Sequence, residues 1–124
     1  MKISQEIQKK LASEWFGFLQ NKICEEFENI EKEISKRKKS KPRFFKKKEW
    51  KKEGVNAGGG IYYLLRNGEV FDKVGVNHST VQGLFPKKFK SNIPGTKKNN
   101  SYWASGISVV AHMKNPKIPA TTDI

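Results

Sequence analysis

Apolar residues recur at spacings of three and four through the first part of the chain, at Ile3, Ile7, Leu11, Trp15, Phe18 with Leu19, Ile23, Phe27, Ile30 and Ile34. At 3.6 residues per turn this is helical periodicity, with Glu and Lys filling the other faces. The spacing predicts one long amphipathic helix over residues 1–35, or two with a bend near Gly17. It assigns the aromatic stripe to core packing rather than to a ligand box. The cations at 36–39 suit the negative end of a helix dipole.

After the basic run at 36–52 the character of the chain changes sharply at Gly58, Gly59 and Gly60. These precede the β-prone run Ile61, Tyr62, Tyr63, Leu64, Leu65, and Asn67-Gly68 is a favoured dipeptide for a tight hairpin turn. A hairpin over about 61 to about 76 follows, and Gly75 in its second strand marks a bulge or a close approach. Residues 84–100, with Pro86, Pro94 and Gly95 among lysines, read as a surface loop. Tyr102 to His112 is again a strand, with Trp103, Ile107, Val109 and Ala111 on one face and Tyr102, Ser108, Val110 and His112 on the other. The expected fold class is α+β: a long amino-terminal amphipathic helix, then part of an antiparallel sheet.

Composition narrows the partners. The formal net charge is +13 over 124 residues, and most of it sits between Lys36 and Lys52, where eleven Lys or Arg face one acid, Glu49. A solvated loop over 36–53 is the plain expectation. Phe44, Phe45 and Trp50 lie among these cations, so a basic nucleic-acid-binding module using 36–52 is the alternative, with rings stacking bases and cations meeting phosphates. With 35% hydrophobic residues the core is thin for the length. No apolar stretch approaches the roughly 20 residues of a membrane span, and MKISQEIQKK lacks a signal-peptide core, so a cytoplasmic location is expected. The single cysteine, Cys24, has no intramolecular disulfide partner and reads as a quiet helix thiol.

Several chemistries fail on spacing. A dinucleotide fingerprint from Gly58 needs glycine where Tyr63 stands, and a Walker pattern from Gly54 needs lysine at Gly60. Ser108 and His112 share a strand face but lie roughly 13 Å apart, too far for a nucleophile and its base. After Glu53 the acids are Glu69, Asp72 and Asp123, so a paired general acid and base is improbable here. His78, His112 and a distant Cys24 do not make a metal cluster by spacing.

EVFDKVGVNHSTVQG at 69–83 and WASGISVVAHMKNPKIP at 103–119 together resemble the oxygen-dependent coproporphyrinogen III oxidases of haem biosynthesis, whose members read approximately VFEK-aGVNxS-xV-G over the first segment. Trp50 followed by the glycine triplet resembles the family's glycine-rich stretch before its sheet. The resemblance spans about Leu19 to Pro119 and implies a flat antiparallel sheet flanked by helices, in a homodimer. The implied reaction is oxidative decarboxylation of two propionates of coproporphyrinogen III to vinyl groups, giving protoporphyrinogen IX. It implies molecular oxygen as oxidant and no organic cofactor. By the same resemblance Ser108 and Asn115 contact substrate, Asn115 with Pro116 forms an Asn-Pro turn, and His112 matches a residue described as a divalent-metal ligand. The family's proton-donor histidine aligns with Thr122, and ATTDI at 120–124 departs from the pattern. The chain is therefore expected to be an incomplete domain, truncated after 119 and inactive alone.

Overall fold

The computed structural model describes residues 4–84, 101–117 and 121–122. Helix α1 runs unbroken from Gln5 to Lys38, roughly 50 Å at 1.5 Å per residue. Ser4 caps its start, the hydroxyl accepting from the Ile7 N–H at 3.3 Å. Lys39 ends it in the left-handed region at φ 56, and the Ser40 N–H bonds back to the Ser35 carbonyl at 2.9 Å. No break occurs at Gly17, where an added Cβ would sit 3.8 Å from the His78 ring, an ordinary contact.

Among the described residues five strands follow as an antiparallel meander: β1 Lys46–Lys52, β2 Ala57–Arg66, β3 Phe71–Leu84, β4 Ser101–Met113 and β5 Thr121–Thr122. The expected 36–53 loop is thus corrected. Its first residues complete α1, and 46–52 pair with 58–64 as an edge strand. A lysine-rich segment is well suited to an outer strand, because its charges stay in water and repel a further edge. The glycine triplet lies within β2 rather than in a turn, and Gly54 at φ 112 makes the preceding turn.

The helix lies on one face of the sheet. Leu65, Val74, Val76, Val109 and Ala111 alternate inward from three adjacent strands, joined by Phe71 and Cys24, with Ile23, Phe27, Phe45 and Tyr63 packed around them. Phe27 meets Phe71 edge-on at 4.9 Å. The buried side of α1 is marked by Gln20, Cys24, Glu31 and Ser35. Leu11, Trp15 and Phe18 lie roughly opposite on the helical wheel and stay more than half exposed, which corrects their assignment to the core. One helix on one sheet face buries a single stripe, and here that stripe is the partly polar one.

Two polar side chains join helix to sheet. The buried Gln20 amide donates to the Ile61 carbonyl at 2.7 Å and the Val76 carbonyl at 3.0 Å. The fully buried Glu31 carboxylate accepts from the N–H groups of Glu69, Val70 and Phe71 at 2.7, 2.9 and 2.9 Å. The hairpin connection is therefore Asn67 to Val70, longer than a two-residue turn. Asn67 takes the positive φ of 58, whereas Gly68 is required by contact: an added Cβ there would run into the Glu31 carboxylate.

Strand β4 has the predicted faces. Most of the 84–100 loop lies outside the described residues, as do 118–120 and 123–124. Thr121 and Thr122 pair with Ala111 and Val110, so part of the expected divergent tail is a short strand.

Candidate ligand-binding face

The face turned away from α1 follows from the pairing register. Lys46, Lys48, Trp50 and Lys52 come from β1, and Gly58, Gly60, Tyr62, Leu64 and Arg66 from β2. From β3 come Lys73, Gly75, Asn77, Ser79, Val81 and Gly83, and from β4 Tyr102, Ala104, Gly106, Ser108, Val110 and His112. None of these paired positions is acidic. Asp72 is the extra residue of a bulge between Phe71 and Lys73.

Aromatic side chains cover glycines on this face. The Trp50 ring lies against Gly60, where an added Cβ would be 2.8 Å from Nε1, and the Tyr62 phenol covers Gly75, where a Cβ would strike its hydroxyl. Trp50 Nε1 donates to Asn77 Oδ1 at 3.4 Å. Asn77 is the direct cross-strand partner of Ser108, so an amide and a hydroxyl stand side by side on this face.

Charge is distributed unequally between the two sides of β1. Lys47 and Lys51, on the helix side, pair with Glu49 at 3.2 Å and Glu53 at 3.8 Å. Among the described residues, Lys46, Lys48, Lys52, Arg66 and Lys73 enter no ion pair. Arg66, Lys73 and His112 are successive cross-strand partners on β2, β3 and β4. Like charges directly opposite one another repel, so this row is poised for an anion.

Ser108 and His112 both lie on the open face, as their period requires. Asn115 lies beyond the end of β4, exposed, with its Oδ1 accepting from the Lys117 N–H at 3.0 Å in a local turn. The Thr122 backbone pairs with Val110, between the levels of Ser108 and His112. The donor set is a poor fit for a divalent metal ion: no group of three His, Cys, Asp or Glu comes together among the described residues, and His112 faces Lys73 across the ladder. A cation there would have one neutral ligand and a like-charged neighbour.

The remaining reactive groups belong to the packing. His78 lies under α1 with its ring 6.2 Å from Phe16 and its Nε2 3.4 Å from Ser105 Oγ, and burial pushes its pKa down. The Cys24 thiol is pushed up to about 12 by burial and then by Glu28. Spacing along the chain did not connect Trp50 with Asn77 or single out Arg66 and Lys73, and it took the β1 lysines as one run without separating those that face outward. Period-two alternation would have found the lysines once 46–52 was taken as a strand.

These features define an α+β sheet protein with one helix-covered face and one open face that is cationic and, at its described paired positions, free of acids. The family follows from comparison: residues 11–123 match the model of the coproporphyrinogen III oxidase family, and the chain belongs to it. Over 112 residues, 90% of this chain, it is 49% identical to the oxygen-dependent coproporphyrinogen-III oxidase of Rickettsia felis. Over the same length it is 48% identical to that of Rickettsia akari and 46% to that of Rickettsia bellii. In each case the match spans 39% of the relative's length.

Proposed function

We propose that the open face binds coproporphyrinogen III, and that in a domain of the relatives' full length it serves the oxygen-dependent decarboxylation of two propionates to vinyl groups. Each propionate would lose carbon dioxide from its α carbon and a hydride equivalent from the β carbon next to the ring, leaving a vinyl group, with molecular oxygen taking the two electrons and two protons to leave as hydrogen peroxide. The observation that carries this reading is an open face with no acid at its paired positions and, among the described residues, five cations outside any ion pair. A macrocycle with several carboxylates matches it in charge.

In this reading Ser108 and Asn77 offer hydrogen bonds to one side of the ligand while Lys46, Lys48 and Lys52 line the β1 side. Asn115 supports the turn that follows β4 and reaches substrate only by opening its bond to Lys117. Among the described open-face residues His112 supplies the one imidazole. Thr122, aligned with the family's proton donor, has no such group. The 124-residue chain by itself is therefore expected to bind without turnover. The reading extends to a homodimeric cytoplasmic enzyme.

Fluorescence titration with coproporphyrin III, the stable oxidised form of the substrate, tests the binding. Micromolar affinity, weakened by Ser108→Ala and absent for octaethylporphyrin, which lacks carboxylates, is expected. Tighter, sequence-selective binding of a single-stranded oligonucleotide at physiological salt would favour the nucleic-acid alternative instead. Against that alternative, Phe45 packs toward the core and Trp50 lies flat on Gly60, leaving Phe44 as the freer ring. Product formation from coproporphyrinogen III above a no-protein control would overturn the claim of inactivity.

A further inference from the structure

We propose that Arg66, Lys73 and His112 form one carboxylate subsite, which selects ligands carrying an acid group at a fixed distance from the part held by Ser108. The inference rests on the binding reading above and assigns His112 to anion recognition instead of to a metal ion.

Arg66 opposes Lys73 and Lys73 opposes His112, so three nitrogen-bearing side chains cross the sheet in a line, spanning about 10 Å at roughly 4.8 Å per strand. Arg66 and His112 are exposed and Lys73 is half-buried. Neither Arg66 nor Lys73 forms an ion pair among the described residues, although Lys38, Lys47 and Lys51 do so close by. Without a bound anion, directly opposed cations weaken a sheet. A carboxylate over Lys73 converts that repulsion into charge-assisted hydrogen bonds, and the planar guanidinium of Arg66 offers a bidentate contact.

Placement on this face supplies the selectivity. His112 lies four residues along β4 from Ser108, roughly 13 Å, so a small carboxylic acid meets one site or the other while a large polyacid meets both. A metal ion in the same place meets the objection already given: one imidazole, an opposing lysine and no acid at a paired position.

The test measures ligand affinity and thermal midpoint on the whole 124-residue chain for Arg66→Gln, Lys73→Gln and the control Lys51→Gln. The control removes the same charge from the helix side of β1. Arg66→Gln and Lys73→Gln are each expected to weaken coproporphyrin III binding about fivefold to tenfold, with an unchanged or higher thermal midpoint because a repulsion is removed. Lys51→Gln should leave affinity within about twofold. A merely structural role would instead lower the midpoint and leave affinity per folded molecule intact, and that result overturns the proposal. So does a parent chain whose binding responds to Ser108→Ala but not to Arg66→Gln or Lys73→Gln, in which case the binding reading survives alone. A parent chain that does not bind coproporphyrin III overturns both. Zinc chloride titrated alone should bind no more tightly to the parent than to His112→Ala, and a His112-dependent micromolar zinc complex would refute the anion assignment.

Discussion

Glu31 offers the sharpest test of how helix and sheet are joined. Its carboxylate is fully buried and accepts from three consecutive backbone N–H groups of the β2–β3 connection at 2.7–2.9 Å. Hydrogen bonds to a charged group contribute about 1.5–3 kcal/mol each, and a donor left without a partner costs about 1–3 kcal/mol. Glu31→Gln keeps one acceptor oxygen, enough for the two bonds now made by Oε1, but turns an NH2 group toward the remaining N–H. The loss of one charge-assisted bond and the weakening of two others come to about 3 kcal/mol, roughly a hundredfold in the folded-to-unfolded ratio. Equilibrium urea denaturation, monitored by tryptophan fluorescence, measures it. Glu33→Gln serves as the control, since Glu33 makes only an exposed i,i+4 pair with Arg37 at 3.0 Å, worth about 0.3–0.5 kcal/mol. A Glu31→Gln loss below about 1 kcal/mol, or unaltered amide exchange at residues 69–71, would refute the reasoning.

Three other outcomes follow from the packing. Burial lowers the pKa of His78 from its ordinary 6.5, so the unfolded chain takes up the proton first as pH falls. Stability should therefore be full above about pH 6.5 and drop as pH descends through the folded-state value, and His78→Leu should flatten the midpoint-versus-pH curve in that window. With its thiol pushed up to about 12, Cys24 should resist iodoacetamide at about pH 8 in the native protein and react readily in urea; equal native and unfolded rates would contradict its burial. Gly75→Ala places a methyl group against the Tyr62 hydroxyl, and the overpacking should cost about 1–3 kcal/mol and weaken coproporphyrin III binding by tilting Tyr62, as paired denaturation and titration would report.

Much of the architecture was legible in the residues themselves, because the signals involved are local. Helical spacing located α1, Ser4 and Lys39 bounding it within a few residues of the expected limits. Period-two alternation located β4 and placed Ser108 and His112 on one face. The VFDKVGVNHS and GISVVAH segments identified the family. The lysine run was misread as a loop because nothing local marks an edge strand: 46–52 is a strand only through its ladder with 58–64. Leu11, Trp15 and Phe18 were misread as core, whereas Ile23 and Phe27 of the same stripe do pack there, because periodicity reveals that a helix has an apolar side without revealing which part of it meets the sheet. Gln20 and Glu31 settled that orientation, finding carbonyls and N–H groups some forty residues away. The tertiary register also brought Asn77 beside Ser108 and lined up Arg66, Lys73 and His112, since cross-strand neighbours are set by hydrogen bonding between distant segments and leave no mark on spacing along the chain.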